Sequence, residues 1–134
     1  MAVAAATIAS AGAFKNPKLK AINDVDTDKH GRFKYILIKV HDPEKDREFK
    51  HIIRGYSRHE YHSDIYDDIC PKIEKNNLDC ECVGGGRIQI ENSKKHIQIF
   101  GYSKGYGQAD HSITAAILSR KYPEHKVKWS NEGY

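Results

Sequence analysis

Arg54-Gly-Tyr-Ser-Arg-His-Glu-Tyr-His-Ser-Asp-Ile-Tyr66 reads as the end of a strand, a short turn and the start of a helix. Ile52 and Ile53 supply the apolar tail of the strand, and Gly55 loosens the backbone. Ser57, with Glu60 three residues on, has the spacing of a capping box, and Ser63 is an alternative helix start. In either register His62 stands in or beside the first helical turn, with Arg54 and Arg58 just upstream. A helix N-terminus carries partial positive charge and unpaired N–H groups, so it holds anions and favours neutral imidazole over imidazolium. A neutral histidine beside an anion pocket is suited to general-base work.

Upstream of this stretch, Arg32–His41 alternates. Phe33, Tyr35 and Leu37 share one face, and Lys34, Ile36, Ile38 and Val40 share the other. This is a strand buried on both faces in its middle. Lys34 lies near its start, either as a solvated strand end or as a phosphate contact. His41–Arg47 is a polar loop with Pro43, and Phe49–Arg54 forms a second strand paired with the first as a hairpin. Asp24–Asp28 reads as a solvated turn, lacking the glycine and closing glutamate of a calcium loop.

Downstream, a helix from about His59 carries Tyr61, Ile65, Ile69 and Ile73 at helical spacing; Pro71 kinks or restarts it. Leu78–Ile90 reads as two strand pieces joined through glycines, or as one long bulged strand. His96–Phe100 pairs with Arg87–Ile90 as a hairpin. The glycine-rich loop Gly101–Gly107 leads into a helix over Asp110–Lys121, with Ile113, Ala116, Ile117 and Leu118 inward, and Lys126–Trp129 is a last strand. The expected fold is a single α+β domain over residues 24–134, a mixed β-sheet flanked by two α-helices. Residues 1–23 lack periodic apolar positions and read as a flexible N-terminal extension.

Composition narrows the function classes. The chain has 134 residues and a formal net charge of +4 from 22 basic and 18 acidic residues, an excess that suits an anionic ligand without demanding nucleic acid. The aromatic stacking pattern of an RNA-binding domain is absent. No apolar run approaches membrane-spanning length, and Met1–Ala13 lacks the basic start of a secretory leader. Three cysteines, an odd number, argue against a disulfide framework. The expectation is a cytoplasmic monomer in a reducing compartment.

Three segments have the chemistry of anion binding: the strand-turn-helix with Arg54 and His62, the run Gly84-Gly-Gly-Arg87, and Gly101–Gly107, where Ser103 and neighbouring N–H groups can form a nest. None matches the P-loop or the dinucleotide fingerprint. Cys82 and Arg87 are separated by four residues where cysteine phosphatases use five, so a nucleophilic Cys82 is disfavoured. Cys80-x-Cys82 lacks further ligands at finger-like spacing, and no zinc site is expected. His111, near the start of the second helix, either shares in the site or caps the helix.

Phe33-Lys-Tyr-Ile-Leu-Ile, Arg54-Gly-Tyr, Glu60-Tyr-His-Ser-Asp-Ile-Tyr66, Asp79-Cys-Glu-Cys-Val-Gly-Gly-Gly-Arg87, Gly101-Tyr-Ser and Tyr106-Gly together resemble the small phosphohistidine phosphatase, or janus, family, from about Asp24 to Tyr134. The resemblance implies a metal-independent and cofactor-free phosphatase acting on phosphohistidine in proteins, and on phospholysine as a further substrate class. It implies His62 as general base, and Lys34, Arg54, Arg87, Ser103 and the backbone at Gly105 around the phosphate. Lys104 adds charge beside the pocket, Gly105 replaces a position often alanine, and Leu78 stands where some members carry a cysteine. A non-catalytic module binding phosphorylated protein through the same pocket is the alternative.

Overall fold

A computed structural model describes residues 16–133. Its elements are α1 (Pro17–Ala21), β1 (Val25–Thr27), β2 (Gly31–Asp42), β3 (Lys45–Gly55), α2 (His62–Glu74), β4 (Asp79–Glu91), a 3-10 turn over Asn92–Lys94, β5 (His96–Phe100), α3 (His111–Lys121) and β6 (Lys126–Trp129). The six strands form one sheet in the order β1-β3-β2-β4-β5-β6. β1 with β3 and β5 with β6 run parallel and the other pairs antiparallel, so the sheet is mixed and the class is α+β.

The alternation in β2 builds both layers of the core. Phe33, Tyr35 and Leu37 pack with Ile53, Ile88, Ile90, Ile97 and Ile99 under Ile117 and Leu118 of α3. Ile36, Ile38 and Val40 pack on the other face with Ile65, Ile69 and Ile73 of α2. A strand apolar on both faces is stable only between two layers, which places β2 at the centre of the sheet. β4 is one continuous strand with a bulge: Leu37 pairs with Gly84 and Ile38 with Cys82, which leaves Val83 as the extra residue. Gly84, at φ +143°, sits where a side chain would meet the backbone of Ala109.

The structure departs from the sequence expectations in four places. α2 begins at His62, not near His59 but one residue before the alternative start at Ser63, because the Asp64 carboxylate accepts from the Tyr61 N–H at 3.1 Å and closes the cap from within the first turn. Ser57 does not cap; its own N–H donates to Asp28 Oδ2 at 2.8 Å. The helix does not restart at Pro71, which lies inside it; the helix runs on to Glu74. The acidic run 24–28 contains β1, drawn into the sheet by pairing with β3.

The fourth departure is at the N-terminus. Residues 1–15 of the expected extension lie outside the described residues. Residues 16–23 are part of the fold: Asn16 caps α1, Leu19 is fully buried, and the buried ammonium of Lys50 donates to the carbonyls of Leu19 (2.9 Å) and Ile22 and pairs with Asp24 at 2.8 Å. No helix among the described residues is long and apolar enough to cross a membrane.

Candidate functional site

The bulge and glycine run of β4 create the site. β4 passes beneath the first turn of α2, and the Gly85 Cα lies so close to His62 that a Cβ there would stand 2.7 Å from its ring carbon Cδ2. Only a residue without a side chain permits that approach. His62 is almost fully buried, and its Nε2 is 2.9 Å from the Gly86 carbonyl oxygen. A carbonyl only accepts, so Nε2 carries the hydrogen and Nδ1 keeps the lone pair. Burial lowers the pKa of His62 below the ordinary imidazole value, the Gly86 hydrogen bond opposes this, and the charges of Lys34 and Arg87 lower it further. The ring is therefore neutral at neutral pH and presents Nδ1 as a base.

Lys34 and Arg87 are direct partners across β2 and β4, on the face that carries His62. The Lys34 ammonium is steadied by the Glu60 carbonyl at 2.6 Å. The loop after β5 supplies the opposite wall. Ser103 and Gly107 exchange backbone hydrogen bonds of 3.1 and 2.8 Å, and the buried Ser103 Oγ accepts from the Tyr106 N–H at 3.1 Å. This folds residues 103–107 into a tight turn with Lys104 and Gly105 exposed at its tip. The turn is stitched to the glycine run, with Gly85 donating to the Gly107 carbonyl and accepting from the Ala109 N–H, each at 3.0 Å. The resulting cleft, about 520 Å³, is lined by Lys34, His62, Arg87, Ser103, Lys104 and Gly105.

Five of the six expected phosphate-binding residues thus meet His62 in one cleft. Arg54 does not. It pairs with Ile36 rather than Lys34, and its buried guanidinium donates to the carbonyls of Ile53 (2.8 Å) and Asn23 (2.9 Å). Its bonds tie the edge of the sheet to the segment leading into β1. Arg58 also turns away, stacked 4.0 Å over the Tyr56 ring and paired with Asp68 at 3.1 Å.

The sequence reading missed the aromatic rim. Tyr61 and Tyr102 are 60% and 38% exposed and line the same cleft with Tyr106. Spacing to Ile65 puts Tyr61 on the apolar stripe of α2, but it stands just before the helix and is exposed there. His111 is not in the cleft. It is fully buried on the far face of the sheet, where Nε2 donates to the Gly101 carbonyl at 2.8 Å and Nδ1 accepts from Tyr35 OH at 2.7 Å; Tyr35 in turn accepts from Thr114 at 2.9 Å. A Cβ on Gly86 would meet His111 Cε1 at 2.6 Å. The two histidines therefore grip the same glycine run from opposite sides, and His111 anchors the start of the Ser103 loop.

Cys82 does not line the cleft. Its thiol donates to the Gly84 carbonyl at 3.6 Å, and burial pushes it up to about 11.

Comparison with known proteins places this geometry in context. A family model described as the Janus/Ocnus family matches residues 19–126. The chain is 46% identical over 120 residues to the 14 kDa phosphohistidine phosphatase of Homo sapiens, covering 87% of this chain and 96% of that one. Identity to the Sus scrofa protein of the same name is also 46%, covering 95% of it. The sex-regulated protein janus-A of Drosophila pseudoobscura pseudoobscura is 42% identical over 113 residues, 82% of this chain and 76% of the relative.

Proposed function

The chain belongs to the Janus/Ocnus family, and from that premise we propose that it is a protein phosphohistidine phosphatase that hydrolyses the P–N bond without a metal or other cofactor. The observation that carries the proposal is a neutral His62, its Nδ1 lone pair available, in a cleft shared with Lys34, Arg87 and the Ser103–Gly107 turn. Breaking a phosphoramidate bond needs little covalent help from the protein; holding the phosphoryl group and stabilising its oxygens does most of the work. Arg87 presents a planar fork and Lys34 a point charge. Ser103, Lys104 and the backbone at Gly105 close on the phosphoryl oxygens from the loop side. Water attacks phosphorus as its proton passes to His62 Nδ1; the P–N bond breaks, the departing imidazole nitrogen takes one proton from solvent while His62 gives its own back, and inorganic phosphate and the histidine side chain are released.

The partners are proteins bearing phosphohistidine, the working form is a monomer, and the compartment is the cytoplasm; nucleic acid and membrane take no part. Phosphate release from a phosphohistidine peptide tests the activity. Turnover that persists in EDTA is expected. Tight binding of the peptide with no release of phosphate would make the protein a binding module instead, and EDTA inhibition reversed by one metal would overturn the metal-free chemistry.

A further inference from the structure

Away from the cleft, at the other end of α2, the thiols of Cys70 and Cys80 face each other with their sulfurs 2.6 Å apart. Cys70 projects from α2 and Cys80 from the first residues of β4, so the pair spans the seam between helix and sheet. The separation is only slightly longer than a disulfide bond, about 2.05 Å. As whole residues Cys70 and Cys80 are both half-buried. Cys82, two residues on, points its thiol at the Gly84 carbonyl. Tyr66 fixes the Cys80 end: its hydroxyl donates to the Cys80 carbonyl at 3.1 Å and lies 3.8 Å from the Cys80 sulfur.

We propose that Cys70 and Cys80 form a redox-active dithiol that hydrogen peroxide oxidises to an intramolecular disulfide and thiol reductants reopen. In the first step the Cys70 thiolate attacks the terminal peroxide oxygen and the O–O bond breaks. The leaving hydroxide takes a proton to become water, and Cys70 becomes a sulfenic acid. In the second step the Cys80 sulfur attacks the Cys70 sulfur and the S–O bond breaks; the departing hydroxide takes the Cys80 proton as a second water. Two thiols lose two electrons and two protons, and the peroxide is reduced to two waters. The order of events follows from the surroundings. Burial, the hydrogen bond with Cys70 and nearby negative charge push the Cys80 thiol up to about 12, so it keeps its proton and acts as the resolving partner. Because the resolving sulfur is already in contact, the sulfenic acid closes before further oxidation.

The Glu74 carboxylate lies within 4.8 Å of both sulfurs, so a thiophilic cation is the competing occupant of this cluster. The full chain is treated with hydrogen peroxide at neutral pH, alkylated under denaturing conditions and mapped by mass spectrometry. The expected result is loss of about 2 Da, one labelled cysteine (Cys82) in place of three, and a cross-linked peptide joining Cys70 to Cys80, all reversed by dithiothreitol. Cys82→Ser should give the same bridge; Cys70→Ser and Cys70→Ala should abolish it and leave Cys80 alkylable. A bridge through Cys82, a dimer linked between chains, or sulfinic acid at Cys70 with no bridge would overturn the proposal. So would one equivalent of Zn²⁺ bound to the untreated protein, lost in Cys70→Ser and protecting both thiols from peroxide.

Discussion

His62 holds one hydrogen and one lone pair, and Gly86 decides which nitrogen has which. Replacement by alanine removes the proposed base while leaving a helix whose cap rests on Asp64. His62→Ala should therefore stay folded and lose about 10² to 10⁴-fold in turnover of a phosphohistidine peptide. A folded variant with near-native rate would remove His62 from the mechanism. The pH profile carries a sign. Burial and two neighbouring cations hold the His62 pKa below 6.5, and the base works only when neutral. The acid limb of kcat/KM should have its midpoint below 6.5; a midpoint above it would mean the charged form is the stabilised one. For Arg87 the question is geometry against charge. If the fork grips two phosphoryl oxygens, Arg87→Lys should lower kcat/KM by roughly tenfold or more, in line with about 1.5–3 kcal/mol for a charge-assisted hydrogen bond. A silent lysine would assign Arg87 charge alone. At this scale the sequence puts Lys34 on the face of Ile36 and His62 at a helix start, and the sheet then brings both into one cleft with Arg87. The sequence failed for Arg54, because alternation sets where a side chain leaves the sheet and not which carbonyls a long guanidinium then finds.

Among the elements, β4 shows how much a run of three glycines specifies. Gly85 and Gly86 accept rings from opposite faces, so a methyl group at either meets atoms that cannot withdraw: at Gly86 the Phe100 carbonyl at 2.5 Å and His111 Cε1 at 2.6 Å, at Gly85 the Tyr35 carbonyl at 2.8 Å. Gly86→Ala should cost about 1–3 kcal/mol, read as a lower denaturation midpoint. Gly105→Ala should be neutral or raise stability by up to about 1 kcal/mol, because nothing lies within 4 Å of the added carbon and the residue is outside the left-handed region. Equal losses at the two sites would show that the contacts are not what makes glycine necessary at Gly86. The glycine run was visible in the sequence as a place for close approach, and the approaching group was read as ligand alone. That His62 and His111 approach it too could not be read, because two segments far apart in the chain must first be brought together by the sheet. Of the two starts open for α2, the later one, at Ser63, lies within a residue of the observed start for a local reason: Ser57 and Asp64 both have the chemistry of a cap, and the carboxylate inside the first turn won.

For the molecule as a whole, the mixed sheet between helices was legible because β2 and the flanking strands alternate so clearly. The N-terminal limit was not, because α1 has a single buried apolar residue, Leu19, and its hold on the domain comes from polar groups. Those polar groups set where the chain can be cut. A protein begun at Asp24 keeps the carboxylate beside Lys50 but discards the Leu19 and Ile22 carbonyls, so a buried ammonium loses two of its acceptors. Such a protein should melt well below the full-length chain, and Lys50→Met in the shortened background should recover part of the loss, since an apolar side chain of similar length makes no claim on the missing acceptors. No recovery would mean that the packing of Leu19 carries the whole effect. The tether also separates stability from the site: a cut between Ile22 and Asp24 would leave every cleft residue in the chain yet remove contacts that hold the fold.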